Sequence, residues 1–548
     1  MKKVLCLVLC CLIVTGLFGT AAFASGEAKP VDYSEHEEFT VWLYATPNDH
    51  YADYSENPVV QYLNEKFNVT LKYEQPASGT EQDSLSLMFG TGEYTDMIEV
   101  AMYTGSIRQL YADGVIVNIA DYLDYMPNLK AALEKYPEFR RYAYADEGVI
   151  LKIPNYRAIP EQIWGGMVYR RDILDTMTGG NVAFPSGNAE PTTVADWDYM
   201  LPLFKAYFDA AGMAHAAPLI IPYNGYFGFG EVGVGFDFAG LRFYVEDDTV
   251  KCGLLDAGLY DYLEKMNEWY EKGYIYQDFA SRVNDPFYLP NTELTYGGAA
   301  GMWYGFANQL GSAMSMPEYG LEVDVHVAAN PLNEGVDAST LLNRRAPIFE
   351  TQGTGSVVTT KCKNIPKLLS IFDFLYSDEG SMIATVGLTK EQLPKNHAIY
   401  EANGLMDGVY WYEGDRMVIN PLMSLVGGKL ELPYMAGHRM PHFDRSDIIT
   451  EYSDEYSKIA DAAWGAHDGG SKAVLPTVLS YTLEDERYIK DFTVALSDYV
   501  NAMIPKFIMG SEKLTPESYQ AFVDQVNALG MEKCLALQQE AYNSFMSR

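Results

Sequence analysis

Between residues 39 and 102 the apolar residues change period repeatedly, and this limits the folds open to the chain. Phe39, Val41 and Leu43 alternate as in a strand, Val59, Val60, Leu63 and Phe67 recur at helical spacing, and Val69, Leu71 and Tyr73 alternate again. A helix near residues 83–89 and a strand near residues 97–102 repeat the plan. Parallel strands joined by helices bury their apolar faces in an α/β lobe, whose ligand groups gather beyond the carboxyl ends of the strands. Residues 46–53 and 101–105 would lie there. The turn inside "SLSLMFGTGEYTDMIEVAMYTG" carries more than a helix-to-strand link needs. Gly90 or Gly92 alone could supply the left-handed residue that ends the helix.

A chain of 548 residues exceeds the size at which one core usually stops growing, so two lobes are expected. "TMTGGNVAFPSGNAEPTT" reads as a loop, with the next helix starting at residues 191–196. Leu259, Leu263, Met266 and Tyr270 form one helical face stopped by Gly273, and a long helical region runs from Thr482 to Arg548. The 42 tyrosines, apolar on the face and polar at the tip, suit a cleft that receives an amphipathic ligand.

Lys2 and Lys3 precede an apolar run, and Ala22, Phe23 and Ala24 present small residues where a signal peptidase would cut, so a mature chain is expected to begin at Ser25. The formal charge of −35 disfavours nucleic acid and anionic membrane as partners. Cys252, Cys362 and Cys534 are too sparse for a disulfide framework and lack metal-ligand spacing.

No Gly-x-Ser-x-Gly elbow, His-Glu-x-x-His or phosphate-binding Gly-x-x-x-x-Gly-Lys run is present, which removes the usual warrants for acyl transfer, zinc proteolysis and nucleotide hydrolysis. The run from Gly228 to Gly233 has dinucleotide-type spacing but follows turn residues and precedes no clear helix, so it reads as loop geometry. His438 and His442 are four apart, but Pro441 breaks any helix between them, which leaves surface or cleft histidines. With 74 acidic residues, composition selects no glycosidase pair. In "YGGAAGMWYGFANQLG" small residues permit close approach, and Trp303, Tyr304 and Phe306 follow. The rings suit either a strand packed under a helix, with Trp303 in the core, or stacking on a sugar face.

"LMFGTGEYTDMIEV" and the following "YADGVIVNIADYLDYMPNL" resemble the extracellular solute-binding proteins of family 1, the receptors of carbohydrate-type ABC importers. "YLEKMNEWYEKGYIYQDFAS", "YGGAAGMWYG", "KCKNIPKLLSIFDFLYSDEG", "LPTVLSYTLEDE", "YVNAMIPKFIMG" and "LQQEAYNSF" extend the likeness in order, toward the large lipoprotein-like subgroup. The resemblance departs at Ser25, where a lipobox cysteine is common, at Thr95, where proline is usual, and at residues 209–215, where an acidic calcium-type loop is missing. A secreted, cell-surface or periplasmic location is implied, with no cofactor and no metal.

The resemblance implies a two-lobed α/β, periplasmic-binding-protein-like fold with a hinge and an interlobe cleft. The expected division is a first lobe of residues 25–155 and 330–385 and a helix-rich second lobe of 156–329 and 386–548, with crossings near 152–160, 323–331 and 385–394. Asp96, Glu99 and Tyr103 would receive ligand hydroxyls, although Asp96 could instead cap its own turn. Tyr156 and Arg157 would follow the first crossing, and Trp303, Tyr304 and Phe306 would face the cleft from the second lobe. Trp411, Tyr412 and Trp464 are candidates by aromatic content. The implied protein is a monomer that captures a small-molecule carbohydrate, an oligosaccharide, by hinge closure and delivers it to the membrane subunits of an ABC permease, without catalysis. A secreted carbohydrate-active hydrolase and a ligand-presenting sensor subunit are the alternatives.

Overall fold

The computed structural model describes residues 29–45, 48–163, 165–223, 231–281, 294–295, 297–311, 323–345, 347–349, 355–423 and 430–548. The expected leader and Gly228 to Gly230 lie outside them. In chain order come β1 (Glu37–Trp42), α1 (Pro58–Phe67), β2 (Val69–Glu74), α2 (Glu81–Thr91) and β3 (Met97–Glu99), then α3 (Pro127–Lys135), α4 (Pro137–Ala143) and β4 (Tyr156–Arg157). β5 (Gly165–Arg170), α5 (Val194–Ala210), β6 (Ala217–Leu219), α6 (Gly258–Glu271), β7 (Ala300–Phe306) and β8 (Val325–Val327) follow. The chain continues through β9 (Ser356–Val358), α7 (Ile365–Asp373), β10 (Phe443–Asp444), α8 (Glu455–Trp464), α9 (Leu483–Met509), α10 (Pro516–Ala528) and α11 (Met531–Ser547).

The caps explain several boundaries. Asn57 accepts from the Val59 backbone N–H at 2.9 Å ahead of Pro58, whose fixed φ suits the first helical position of α1. α2 ends where Gly92 adopts φ 75°, so the glycine in the turn does the terminating. Thr193 and Asp196 form a capping box at the start of α5.

The first sheet has the order β9-β3-β1-β2. β1 runs parallel to β2 and β3, whereas β9 is antiparallel to β3 and sets Ser356 opposite Glu99. The second sheet has the order β8-β5-β7-β6, with β5 antiparallel to β7 and β6 parallel to it. Two large cores result. One joins Phe39, Val41, Leu63 and Leu71 to Phe372, Tyr400, Val409 and Met435; the other joins Met167, Trp197, Phe204 and Trp269 to Val500, Phe507 and Phe522.

Core membership corrects the expected division. Leu388, Tyr400, Met417 and Met440 pack into the first core, not the second. Leu341 and Leu342 pack with Val234 and Tyr244, away from the first core. Periodicity shows that a segment has a buried face; it does not say which core receives it.

The crossings shift accordingly. β4 pairs with β10, placing Phe443 against Tyr156 and Asp444 against Arg157. Beside them, Ile153 N–H donates to the Ser356 carbonyl at 2.8 Å and Arg157 N–H to the Ile348 carbonyl at 2.8 Å. Residues 152–160 lead from the first core, which holds Ile153 and Tyr156, toward β5 of the second sheet, whereas β8 lies within 323–331 as an edge strand of the second sheet and Leu388 of 385–394 lies in the first core.

Candidate functional site: a charged cavity at the junction of the lobes

β1 and β3 end side by side, and the residues at their carboxyl ends form one wall of the site. Glu99, the last residue of β3, is 4% exposed. A buried carboxylate requires a partner, and Arg439 supplies it from far along the chain: its Nη2 lies 2.8 Å from both Glu99 carboxylate oxygens and donates to the Tyr44 carbonyl at 2.6 Å. The guanidinium stands 5.7 Å from the centre of the Tyr44 ring. Tyr44 N–H donates back to Glu99 at 3.3 Å. Burial nonetheless holds the Glu99 carboxyl above its ordinary range, against the pull of Arg439.

The crossing strands form the other wall. Arg157 reaches Glu161 at 2.8 Å and Asp444 at 3.4 Å. Asn155 accepts from the His442 N–H at 3.2 Å, and the His442 Nδ1 lies 2.7 Å from the Met440 carbonyl. Burial pushes the His442 imidazole below its ordinary pKa, toward the neutral form. Between these walls lies a cavity of about 330 Å³, also bordered by Ser356, Thr385, His438 and Pro441. Its charged groups are already paired, so it can offer both donors and acceptors to hydroxyl groups without burying a free ion. Among the described residues no cluster of His, Cys, Asp and Glu could hold a metal ion.

Of the residues singled out from sequence, Glu99 and Arg157 line this cavity. Asp96 does not. Its carboxylate accepts from the Thr40 N–H at 2.7 Å and the Thr40 hydroxyl at 2.9 Å, tying the turn to β1. Tyr103 leans on Phe89 with ring centres 4.7 Å apart. Tyr156 is buried in the first core and stacks on Phe443 at 4.5 Å.

Trp303 and Trp464, each 2% exposed, are core rings. Trp303 donates to Gln309 at 3.3 Å, and its neighbour Gly301 has no room for a side chain because a Cβ there would lie 2.6 Å from the Phe204 ring of α5. Trp464 lies over Gly166 and donates to the Met167 carbonyl at 3.0 Å. Tyr304 is 9% exposed and Phe306 is half-buried. Trp411 and Tyr412 sit on the hairpin of Tyr410–Glu413 and Arg416–Ile419, where Trp411 donates to Glu413 at 3.3 Å. Neither borders the cavity.

Sequence reasoning missed Arg439, Asn155, Glu161, Ser356, Thr385 and Asp444, and set His438 and His442 aside as surface or cleft residues. The one available hint was physical: a glutamate ending a buried strand demands a cation, but the sequence does not say which.

The family model described as "Bacterial extracellular solute-binding protein" matches residues 59–363. That is more than half of the chain, and the protein belongs to this family. No curated protein matches the sequence. Among solved structures, the alginate-binding protein AlgQ2 without calcium ion is similar at 17% identity over 92% of this chain and 98% of that one, with a TM-score of 0.66. An extracellular solute-binding protein from Bifidobacterium longum subsp. infantis aligns at 14% identity over 93% and 98%, with a TM-score of 0.68. The Streptococcus pneumoniae substrate-binding protein FusA, an EF-hand mutant in complex with fructo-nystose, aligns at 16% identity over 93% and 99%, with a TM-score of 0.65. These likenesses establish a mixed α/β, two-lobed binding-protein fold.

Proposed function

We propose that the protein captures a carbohydrate, an oligosaccharide, between its lobes and delivers it to the membrane subunits of an ABC permease, acting outside the cytoplasm as a monomer and without bond chemistry. The observation that carries this reading is the cavity itself. It lies at the carboxyl ends of β1 and β3, against the crossing strands, and is lined by the paired charges Glu99 with Arg439 and Arg157 with Glu161 and Asp444. Paired charges of both signs suit a neutral ligand rich in hydroxyls. Family membership supports capture of a solute, and the similarity to an alginate-binding protein and to a substrate-binding protein in complex with fructo-nystose supports a sugar. No helix among the described residues is long and apolar enough to cross a membrane.

Binding that favours one lobe arrangement draws the population toward it by the difference in affinity between the two. The reading is tested by a thermal-shift screen of residues 25–548 against neutral and acidic oligosaccharides, with peptides as controls. A sugar present at about a hundred times its dissociation constant adds ~2.7 kcal/mol of stability. A saturable shift with unaltered sugar recovered by chromatography is the expected outcome. A shift by peptides alone overturns the ligand class, and sugar cleavage products overturn the non-catalytic reading.

A further inference from the structure

The crossing strands are not the only link between the lobes. Arg548, beyond the end of α11, reaches from the second lobe to the segment after α4 in the first. Its Nε and Nη2 each lie 3.0 Å from Asp146 Oδ1, Nη1 donates to the Tyr144 carbonyl at 2.8 Å, and Nη2 donates to the Ser480 hydroxyl at 2.7 Å. The Ser544 hydroxyl donates to the same Asp146 oxygen at 3.0 Å. The Arg548 side chain is only 8% exposed. One turn earlier, Phe545 meets Tyr142 edge-on at 5.1 Å, and Arg141 lies 5.8 Å from the centre of the Phe545 ring. Tyr142 packs against the first core and also against a cluster of Val245, Leu475, Tyr542 and Phe545 that belongs to the second lobe. Further along the same junction, Lys490 of α9 donates to the Thr104 carbonyl at 3.1 Å.

This contact lies across the crossing strands from the charged cavity. A second cavity of about 260 Å³, lined by Tyr142, Tyr144 and residues 477–481, touches the crossing strands at Leu151 to Asn155. It shares only Asn155 and Gly355 with the charged cavity, so these two residues are a common wall. The two cavities thus flank Asn155 and Gly355, and a rotation about the chain there would narrow one while widening the other. A guanidinium holding a carboxylate and a carbonyl at hydrogen-bond distance tolerates little displacement.

We infer that the contact of Arg548 and Ser544 with Asp146 and Tyr144 is a clasp that holds the lobes in the arrangement of this structure, and that it opens when the charged cavity closes. The clasp therefore opposes closure, and its strength sets how much of the ligand's binding energy remains as affinity. This rests on the proposed capture by lobe movement, but its test requires no ligand, so the two can fail separately.

Spin labels on Lys72→Cys in β2 and Glu517→Cys in α10, both exposed positions on different lobes, report the interlobe distance by pulsed electron resonance. The described native cysteines are buried. With the clasp intact and no ligand, one dominant distance is expected. Arg548→Ala and Asp146→Asn, each checked for an intact cooperative melt, should add a second distance that accounts for a clear fraction of the population. Should Arg548→Ala fail to fold, Arg548→Lys gives the same reading, because an ammonium cannot span both the Asp146 carboxylate and the Tyr144 carbonyl. A single distribution unchanged in the folded variants overturns the inference.

Discussion

The two lobes use their polar and aromatic residues in opposite ways. The first lobe leaves charges at the ends of its strands: Glu99 stands at the end of β3, held by Arg439, and both border the cavity. The second lobe turns its largest rings inward, with Trp303 fixed by Gln309 within β7 and Trp464 lying over Gly166 of β5. The charged lining of the cavity thus comes from residues remote in sequence, while the conspicuous aromatic run of the second lobe builds its sheet. Aromatic density marks where a chain is well packed as readily as where it binds.

Substitutions can break or sharpen this contrast. The largest expected effect is on the second lobe: Trp464→Ala should remove about 4 kcal/mol of stability, read by denaturant unfolding, because it empties a close-packed site. Trp464→Phe should recover much of that while leaving ligand affinity unchanged; a loss of affinity in a stable Trp464→Phe protein would erase the contrast. On the first lobe, Arg439→Ala leaves Glu99 buried without its cation and should cost about 3 kcal/mol. Burial already raises the folded pKa of Glu99, so its stabilising effect is full at low pH and lost as pH rises through that raised value. The Arg439→Ala defect should accordingly be larger at pH 7 than at pH 4, which melts at the two values will show.

Arg157→Lys keeps a charge but cannot hold Glu161 and Asp444 together as the guanidinium does. About a tenfold weaker sugar affinity, or ~1.4 kcal/mol, with little change in stability is expected from calorimetry. A pH-dependent effect lies inside the first core. Asp373 caps α3 through the Asn128 and Leu129 N–H groups, and burial pushes its carboxyl up to about 6. Wild type should lose stability from this group as pH rises from about 4 through 6, and Asp373→Asn should remove that loss, up to about 3 kcal/mol, read from melts at pH 4 and pH 7.

Much of the fold was legible. β1, α1 and β2 follow from strict period changes, and Gly92 ends α2 as a glycine in that turn should. The long helical region from Thr482 proves to be three helices, interrupted at Gly510 and Gly530, both at positive φ. The close fit of β7 beneath α5 was one of the two meanings its small residues allowed. The site was much less legible. Glu99 and Arg157 were reached through family resemblance, whereas Arg439 carries no local signal, because its role exists only once the chain has come back beside β3. Asp96 looked like a ligand residue and proved to hold Thr40, since a carboxylate can serve backbone N–H groups as readily as a bound hydroxyl.

The antiparallel return of β9 beside β3 also bears on how the molecule is made. The first core draws on residues from Phe39 to Met440, and the second on residues from Met167 to Cys534. A growing chain therefore cannot complete one lobe and then begin the other. Until Ser356 emerges, β3 has an open edge, and unpaired edges invite association with other chains. Synthesis holds both halves unfinished together, and the chain becomes safe from such encounters only near its end.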